Sequence, residues 1–381
     1  MAVRNVPAMP RALVIGGGPA GATAAMTLAR GGWGVILCEA SRFPRDKVCG
    51  ECLSALGLDT LRRVGLGDAL DRLRPVRLTH AALVDRGGRT ATIGLPRDVA
   101  GVTRAALDAA LLDALPAAVE RRQPCRVLRL ETTRYGVVAE TTLGTVEADR
   151  AFLADGKGTL PGTFEHHPPP TGDLGLKAHF DGVDLPRETI HLFALRGHYV
   201  GLAAASDGGG GHVWNLAFNL PASRMRPGES HDDLLARLID ENPALRDALA
   251  GGTRVGDWKA SPLPRFAPRP AATWPTSVIP VGNAAAALEP VGGEGMGLAV
   301  ASAYAAAEAV LDGRPLVSLD PIYRDLWKTR RAACRLAAVA LSHEPSATLT
   351  VALARALPWA GRLGMRLTGK ASATQSVPTP A

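Results

Sequence analysis

Arg11-Ala12-Leu13-Val14-Ile15-Gly16-Gly17-Gly18-Pro19-Ala20-Gly21 decides how the chain begins. The apolar run Arg11–Ile15 reads as a buried strand, the glycines as a turn, and Ala22–Arg30 as a helix closed by Gly31-Gly32. A second strand, Val35–Cys38, ends on Glu39, with Ala40 beside it. Gly16, Gly18 and Gly21 make the G-x-G-x-x-G pattern in strand–turn–helix context. Gly16 permits the tight turn, Gly18 lets backbone approach a pyrophosphate, and Gly21 lets helix and strand pack closely. Pro19 and Ala20 open the helix, whose free N–H groups and dipole favour an anion. Glu39 stands eighteen residues beyond Gly21, where a carboxylate accepts both ribose hydroxyls of an adenosine and repels a 2′-phosphate. The turn is therefore expected to hold FAD or NAD, and not NADP.

Working outward, 381 residues exceed one small core and predict two connected domains. At 46% hydrophobic and 21% charged, the composition is that of a soluble globular enzyme. The net charge of +7, carried mostly by arginine, reads as a solvated basic surface, and no nucleic-acid partner is expected. Met1–Pro10 lacks the apolar core of a secretion signal. The longest uncharged stretch, Pro270–Leu288, is broken by Pro275, Pro280 and Gly282 and cannot be a spanning helix. Five cysteines in a chain this long are no disulfide framework, so a reducing, cytoplasmic setting is expected.

Apolar spacing predicts a helix over Arg104–Val119 and strands over Cys125–Leu130, Tyr135–Glu140 and Arg150–Ala154. His166-His167-Pro168-Pro169-Pro170 reads as a stiff connector out of the nucleotide domain. Beyond it, Gly175–Phe180, Thr189–Leu195, Tyr199–Ala204 and His212–Leu220 are short strands between glycine-rich turns, which predicts an antiparallel sheet. Asp232–Glu241 reads as a helix, Pro262–Pro275 as a return path, Thr276–Val281 as a buried strand and Gly295–Leu311 as an alanine-rich helix. Ile322–Gly369 is expected to be helical with breaks at Pro345 and Pro358, and residues 371–381 to be disordered.

Three further segments turn a dinucleotide site into a flavin site. Asp46-Lys47-Val48-Cys49-Gly50 resembles the D-K-x-C-G segment of the geranylgeranyl reductase group within the flavoprotein monooxygenase (aromatic hydroxylase) superfamily. Ala154-Asp155-Gly156-Lys157-Gly158-Thr159 is similar to that superfamily's A-D-G-x-x-S motif, with Thr159 replacing serine. Val281-Gly282-Asn283-Ala284-Ala285 and Pro290-Val291-Gly292-Gly293-Glu294-Gly295-Met296-Gly297 resemble its G-D-A-A and P-x-x-G-x-G elements. The set falls in the family's order over residues 11 to about 310.

The resemblance implies an α/β fold: a Rossmann-type FAD-binding domain, an inserted antiparallel β-sheet substrate domain and C-terminal helices. The expected bounds are 1–75, 99–165 and 270–320 for the FAD domain, 76–98 and 166–269 for the sheet domain, and 321–370 for the helices. It also implies cofactor contacts from Arg45, Cys49, Gly50, Arg104, Asp155, Gly156, Gly282, Asn283, Pro290, Gly293, Gly295 and Met296. Glycines after Pro290 let backbone approach the flavin ring, and the following helix N-terminus favours negative charge on the reduced ring. Asn283 departs from the family's aspartate and accepts a ribityl hydrogen bond without charge, which weakens it. Arg104 reaches the ribityl or phosphate region in such proteins. Arg42 and Arg45 read equally well as exposed side chains.

Cys49-Gly50-Glu51-Cys52 also fits a C-x-x-C redox pair, although the flavin-family motif already accounts for Cys49. On the strand Gly175–Phe180, Lys177 and His179 share one face while Leu176, Ala178 and Phe180 share the other. His179 and Cys49 are the candidate catalytic side chains; a structural histidine is the commoner outcome for the first. No cluster has metal-ligand spacing.

The chemistry implied is FAD-dependent oxidoreduction, with NAD(P)H visiting transiently because no second Rossmann fingerprint is present. Hydroxylation of an aromatic or polyketide-like hydrophobic substrate ranks first on the superfamily. Saturation of C=C bonds in an isoprenoid or other lipid is favoured by the segment around Cys49. A non-catalytic flavin-binding protein stays open because of Asn283. No W-x-W-x-I-P segment is present, so halogenation is not expected. Arg324, Lys328, Arg330, Arg331, Arg335, Arg362 and Arg366 give the C-terminal helices a basic side. Such a helix either lies on an anionic membrane or, more commonly, packs on its own protein with that side solvated.

Overall fold

The computed structural model describes residues 9–156, 160, 172–263 and 270–370. Strand β1 (Arg11–Ile15), helix α1 (Pro19–Arg30) and strand β2 (Gly34–Cys38) open the chain as the glycine turn requires. A Cβ on Gly16 would meet Ala154 O at 2.5 Å, and its φ of +105° excludes most side chains. A Cβ on Gly21 would meet Gly16 O at 1.8 Å, so glycine alone lets α1 lie this close to β1. Pro19 sits in the first turn of α1, where a missing N–H costs nothing.

The chain then leaves through strand β3 (Cys52–Leu53), helices α2 (Ala55–Arg63) and α3 (Gly67–Asp71), and the hairpin β4 (Val76–Val84) and β5 (Thr90–Gly101). It returns through α4 (Arg104–Asp113) and β6 (Val119–Arg122). The strands β7 (Val127–Thr132), β8 (Val137–Thr141) and β9 (Gly144–Ala148) form a small antiparallel sheet, and β10 (Arg150–Leu153) follows. The helix expected to reach Val119 stops at Asp113, because Pro116 cannot continue it, and Val119–Arg122 instead pairs with β2.

After residue 172 come β11 (Asp173–Asp181), β12 (Thr189–Ala194), β13 (Tyr199–Ser206), β14 (His212–Pro221), helices α5 (His231–Ile239) and α6 (Pro243–Leu249), and β15 (Thr253–Pro262). Ser230 and Asp233 form a reciprocal cap on α5. The last part is β16 (Val278–Pro280), α7 (Gly295–Leu311), α8 (Leu319–Ser342), α9 (Glu344–Ala356) and α10 (Pro358–Met365). The breaks expected at Pro345 and Pro358 are present: α8 ends at Ser342 and α9 at Ala356, and each proline occupies the first turn of the next helix. Thr159, the His166–Pro170 connector, the middle of the return path after Leu263 and the tail from Ala371 lie outside the described residues.

A parallel sheet of order β16-β10-β1-β2-β6 carries the nucleotide turn at the carboxyl end of its strands. The second sheet, of order β15-β11-β14-β13-β12-β4-β5-β3, is antiparallel except for β12 beside β4. One face buries Leu176, Ala178, Phe180, Val200, Trp214 and Leu216 against Leu234, Leu238 and Leu245 of α5 and α6. Registers Gly175↔Asn219, Lys177↔Ala217, His179↔Asn215 and Gly201↔Ala217 put these residues together on the opposite face. The resemblance implied this α/β architecture, and the structure has it.

Candidate active site

A cavity of about 570 Å³ lies between the glycine turn, the segment 45–52, the opposite face of the large sheet and the start of α7. Its walls include Gly16, Gly18, Pro19, Ala20, Glu39, Ala40, Arg45, Cys49, Gly50, Arg104, Asp155, Gly156, Gly282, Asn283, Pro290, Gly293, Gly295 and Met296. Every residue expected to touch the cofactor except Gly21 thus borders one space, and Gly21 acts beneath it in the helix–strand contact.

Glu39 is buried at the tip of β2, and both its oxygens are engaged. Gly17 N donates to Oε2 at 2.8 Å and Ser41 N to Oε1 at 2.8 Å. These bonds aim the carboxylate and leave lone pairs for ribose hydroxyls. Arg45 Nη2 lies 3.7 Å from Glu39, and its Nη1 donates to Asp108 at 3.0 Å. Arg42, by contrast, is exposed.

Arg104 opens α4 behind the Thr103 cap and is buried. It forms a bidentate pair with Asp108 one turn later, Nε to Oδ1 at 2.8 Å and Nη2 to Oδ2 at 2.6 Å. Burial works against the guanidinium's charge, but Asp108 outweighs it and holds the group above its usual range. The i,i+4 spacing of Arg104 and Asp108 was the signal that could have found this pair.

The segment 46–51 is tied to the sheet through a buried ionic cluster that sequence reasoning missed. Glu51 Oε1 accepts from Lys177 Nζ at 2.5 Å and from Arg104 N at 2.7 Å. Its Oε2 pairs with His179 Nε2 at 2.7 Å. Asp46 also takes Lys177, at 2.5 Å, and that ammonium overrides burial to hold the Asp46 carboxyl below its usual range. Glu51 holds φ at +56°, a conformation rare outside glycine, and the surrounding bonds fix it there. Lys177 and His179 do face the cleft, but His179 is absent from the cavity wall because Glu51 covers it. In this arrangement the imidazole is a partner of the buried Glu51 carboxylate, the structural role that the sequence also allowed.

Cys49 and Cys52 both border the cavity as free thiols. Cys52 is buried and its Sγ points to Gly50 O at 3.3 Å, while Glu51 N donates to Cys49 Sγ at 3.4 Å. Asn215 Nδ2 holds Cys49 O at 3.1 Å.

The residues fit FAD on two independent grounds. Helices α1 and α7 both begin at this cavity without a side-chain cap or an acidic residue in the first turn, leaving N–H groups for a pyrophosphate and a flavin ring. Gly282 and Gly293 adopt φ of +59° and +62°, so the backbone loops at the flavin end carry no side chain to fill the space. Lys47 stands at the phosphate side, and partial burial beside Arg104 and Arg45 pushes its ammonium down to about 8. An anion bound there restores the proton, so FAD affinity should fall as pH rises above about 8, by up to tenfold per unit. Lys47→Met should abolish that slope. Flavin titrations from neutral to alkaline pH measure it, and identical slopes in both proteins would refute it.

Residues 10–155 match the family model of the FAD binding domain. A protein of Mycolicibacterium smegmatis named menaquinone reductase is 27% identical over 339 residues, 79% of this chain and 76% of the relative. The crystal structure of a flavoprotein/dehydrogenase from Cytophaga hutchinsonii superimposes with a TM-score of 0.77 at 18% identity, covering 94% of this chain and 92% of that one. The flavin-dependent halogenase CmlS gives 0.70 at 20% identity over 86% of this chain, which spans only 63% of CmlS. Likeness at that level speaks for the fold alone. Together with the glycine turn, the Glu39 carboxylate and the two uncapped helix ends, the matched domain makes the chain an FAD-dependent oxidoreductase, similar to proteins of the aromatic-hydroxylase-like superfamily.

Proposed function

We propose that the protein is a flavin-dependent reductase that saturates a carbon–carbon double bond of an isoprenoid-type lipid, with NAD(P)H as transient electron donor. The sheet end of the cavity carries this reading. Strands β4 and β11–β14 line it with Ala81, Ile190, Leu192, Gly201, Ala203 and Ala217, and among the described residues Tyr199 is their one titratable group. Hydroxylating a phenolic ring calls for a base that raises the ring's electron density. Burial pushes the Tyr199 phenol well up, so it stays protonated and cannot serve. Hydroxylation, ranked first on the sequence, therefore fits this cavity less well than alkene reduction.

Reducing an apolar alkene needs a hydride on one carbon and a proton on the other. FAD, when bound and reduced by NAD(P)H, would supply the hydride equivalent. Cys49 borders the same cavity with the Arg104 guanidinium against its sulfur, and its thiol gives the proton to the second carbon before taking another from solvent. The relative named menaquinone reductase, whose namesake carries a prenyl chain, supports the substrate class.

Anaerobic mixing of the holoprotein, NAD(P)H and a prenylated quinone tests the reading. Saturated product is expected without oxygen. Cys49→Ala should slow product formation by about 10²-fold while the flavin bleaches at the wild-type rate. Product that forms only with oxygen would overturn reduction in favour of hydroxylation. A flavin that never bleaches would leave a non-catalytic flavin-binding protein.

A further inference from the structure

The C-terminal helices expose a band of large apolar side chains. Leu336 on α8 is 72% exposed, Leu349 on α9 58% and Trp359 on α10 60%, and Leu353, Leu357, Leu363 and Leu367 are also exposed. Leu349, Leu353 and Leu357 recur every four residues, as do Trp359, Leu363 and Leu367, so each series lies along one side of its helix. The inward sides are satisfied separately: Ala338, Leu341, Val351 and Ala354 pack on Leu83, Ile93 and Leu192 of the large sheet. The outward leucines are therefore surplus to the fold. Scattered apolar residues are ordinary on a surface, whereas a band across neighbouring helices marks a contact.

The charge on the same helices names the partner. Residues 319–370 hold nine Lys/Arg against three Asp/Glu, a surplus of six in a chain whose net charge is +7. After Glu344 no acidic residue occurs before Lys370, and Glu344 itself is paired with Arg86. Among the described residues Arg355, Arg362 and Arg366 make no ion pair. Exposed leucines and a tryptophan interleaved with unpaired arginines are the composition of a helix lying in a lipid interface, the rings and leucines in the acyl boundary and the guanidiniums at the phosphates. No helix of the described residues is long and apolar enough to cross a membrane, which leaves a surface contact.

We propose that the outward face of α8–α10 docks on an anionic lipid bilayer, through Leu349, Leu353, Trp359 and Leu363 in the interface and Arg355, Arg362 and Arg366 at the headgroups. The surface stands independently of the reaction assigned above. It lies next to the site: Met365 borders the cavity, while Leu363 and Leu367, two positions away on either side, face out.

Flotation of the full chain with phosphatidylcholine vesicles containing phosphatidylglycerol, against phosphatidylcholine alone, is the test. The wild type is expected to float with the anionic vesicles and to be released by added salt. Arg355→Gln/Arg362→Gln/Arg366→Gln and Trp359→Glu/Leu363→Glu should each weaken binding at least about tenfold, with FAD content unchanged because these side chains are exposed. A wild type that stays unbound, or binding insensitive to salt and to both variants, overturns the proposal. A dimer seen by sedimentation velocity and dissolved by Trp359→Glu/Leu363→Glu overturns it too, by assigning the face to a second copy.

Discussion

Glu51→Ala is expected to lower the melting temperature by roughly 10 °C, the result of losing about 3–5 kcal/mol when one partner of a buried ionic cluster is removed. Lys177 is fully buried and keeps only Asp46 after the change; His179 and Arg104 N lose their acceptor as well. The loss spreads beyond stability. The segment that brings Cys49 and Gly50 to the cavity is anchored to the sheet through this carboxylate, so FAD should dissociate faster even at temperatures where the variant is folded. Glu51→Gln keeps an acceptor oxygen without the charge and should fall between the two. Thermal melts of apo and FAD-loaded protein measure both effects, and a melting temperature within about 2 °C of wild type would show that the cluster contributes little.

Gly21→Val should be more severe: no flavin-loaded protein is expected. The new Cβ alone would sit 1.8 Å from Gly16 O, and a β-branched side chain cannot swing away from backbone. Helix α1 must then move off β1, taking with it the N–H groups that face the pyrophosphate, and overpacking of this kind costs about 1–3 kcal/mol or more. Gly364→Ala is the matched control. Its Cβ meets nothing within 4 Å, and it lies inside α10, so stability should be equal or higher by about 0.5–1 kcal/mol. Flavin absorbance per protein decides the comparison, and a yellow Gly21→Val protein would refute the close-packing argument.

Short-range patterns made much of this molecule legible in its sequence. The glycine turn, the acid at the end of β2 and the alanine-rich α7 each depend on residues within a few positions of one another. So does the alternation that put Lys177 and His179 on one face, and the structure turns that face to the cleft. The Glu51 cluster was not legible, because its partners Lys177 and His179 lie 126 and 128 residues further along and only the fold makes them neighbours. His179 was judged by its face alone; what covers it comes from another part of the chain. The apolar spacing of a helix runs on from Arg104 to Val119, but Pro116 ends the helix at Asp113. The breaks at Pro345 and Pro358 were legible, because proline ends one helix and is accepted in the first turn of the next. Met365 gave no signal at all, since its place in the cavity wall depends on how α10 packs over the sheet.

The pleat of the large sheet has a consequence for how such an enzyme diversifies. Odd positions such as Gly175, Ala217 and Asn219 shape the chamber, and even ones such as Val200, Leu216 and Leu220 weld the strands to α5 and α6. Because neighbours along a strand answer to different masters, a lineage can remould what it accepts by changing every second residue while its foundation stays intact. Random substitutions at the odd positions of β11, β13 and β14 should therefore yield folded proteins with new tastes far more often than the same changes one step along.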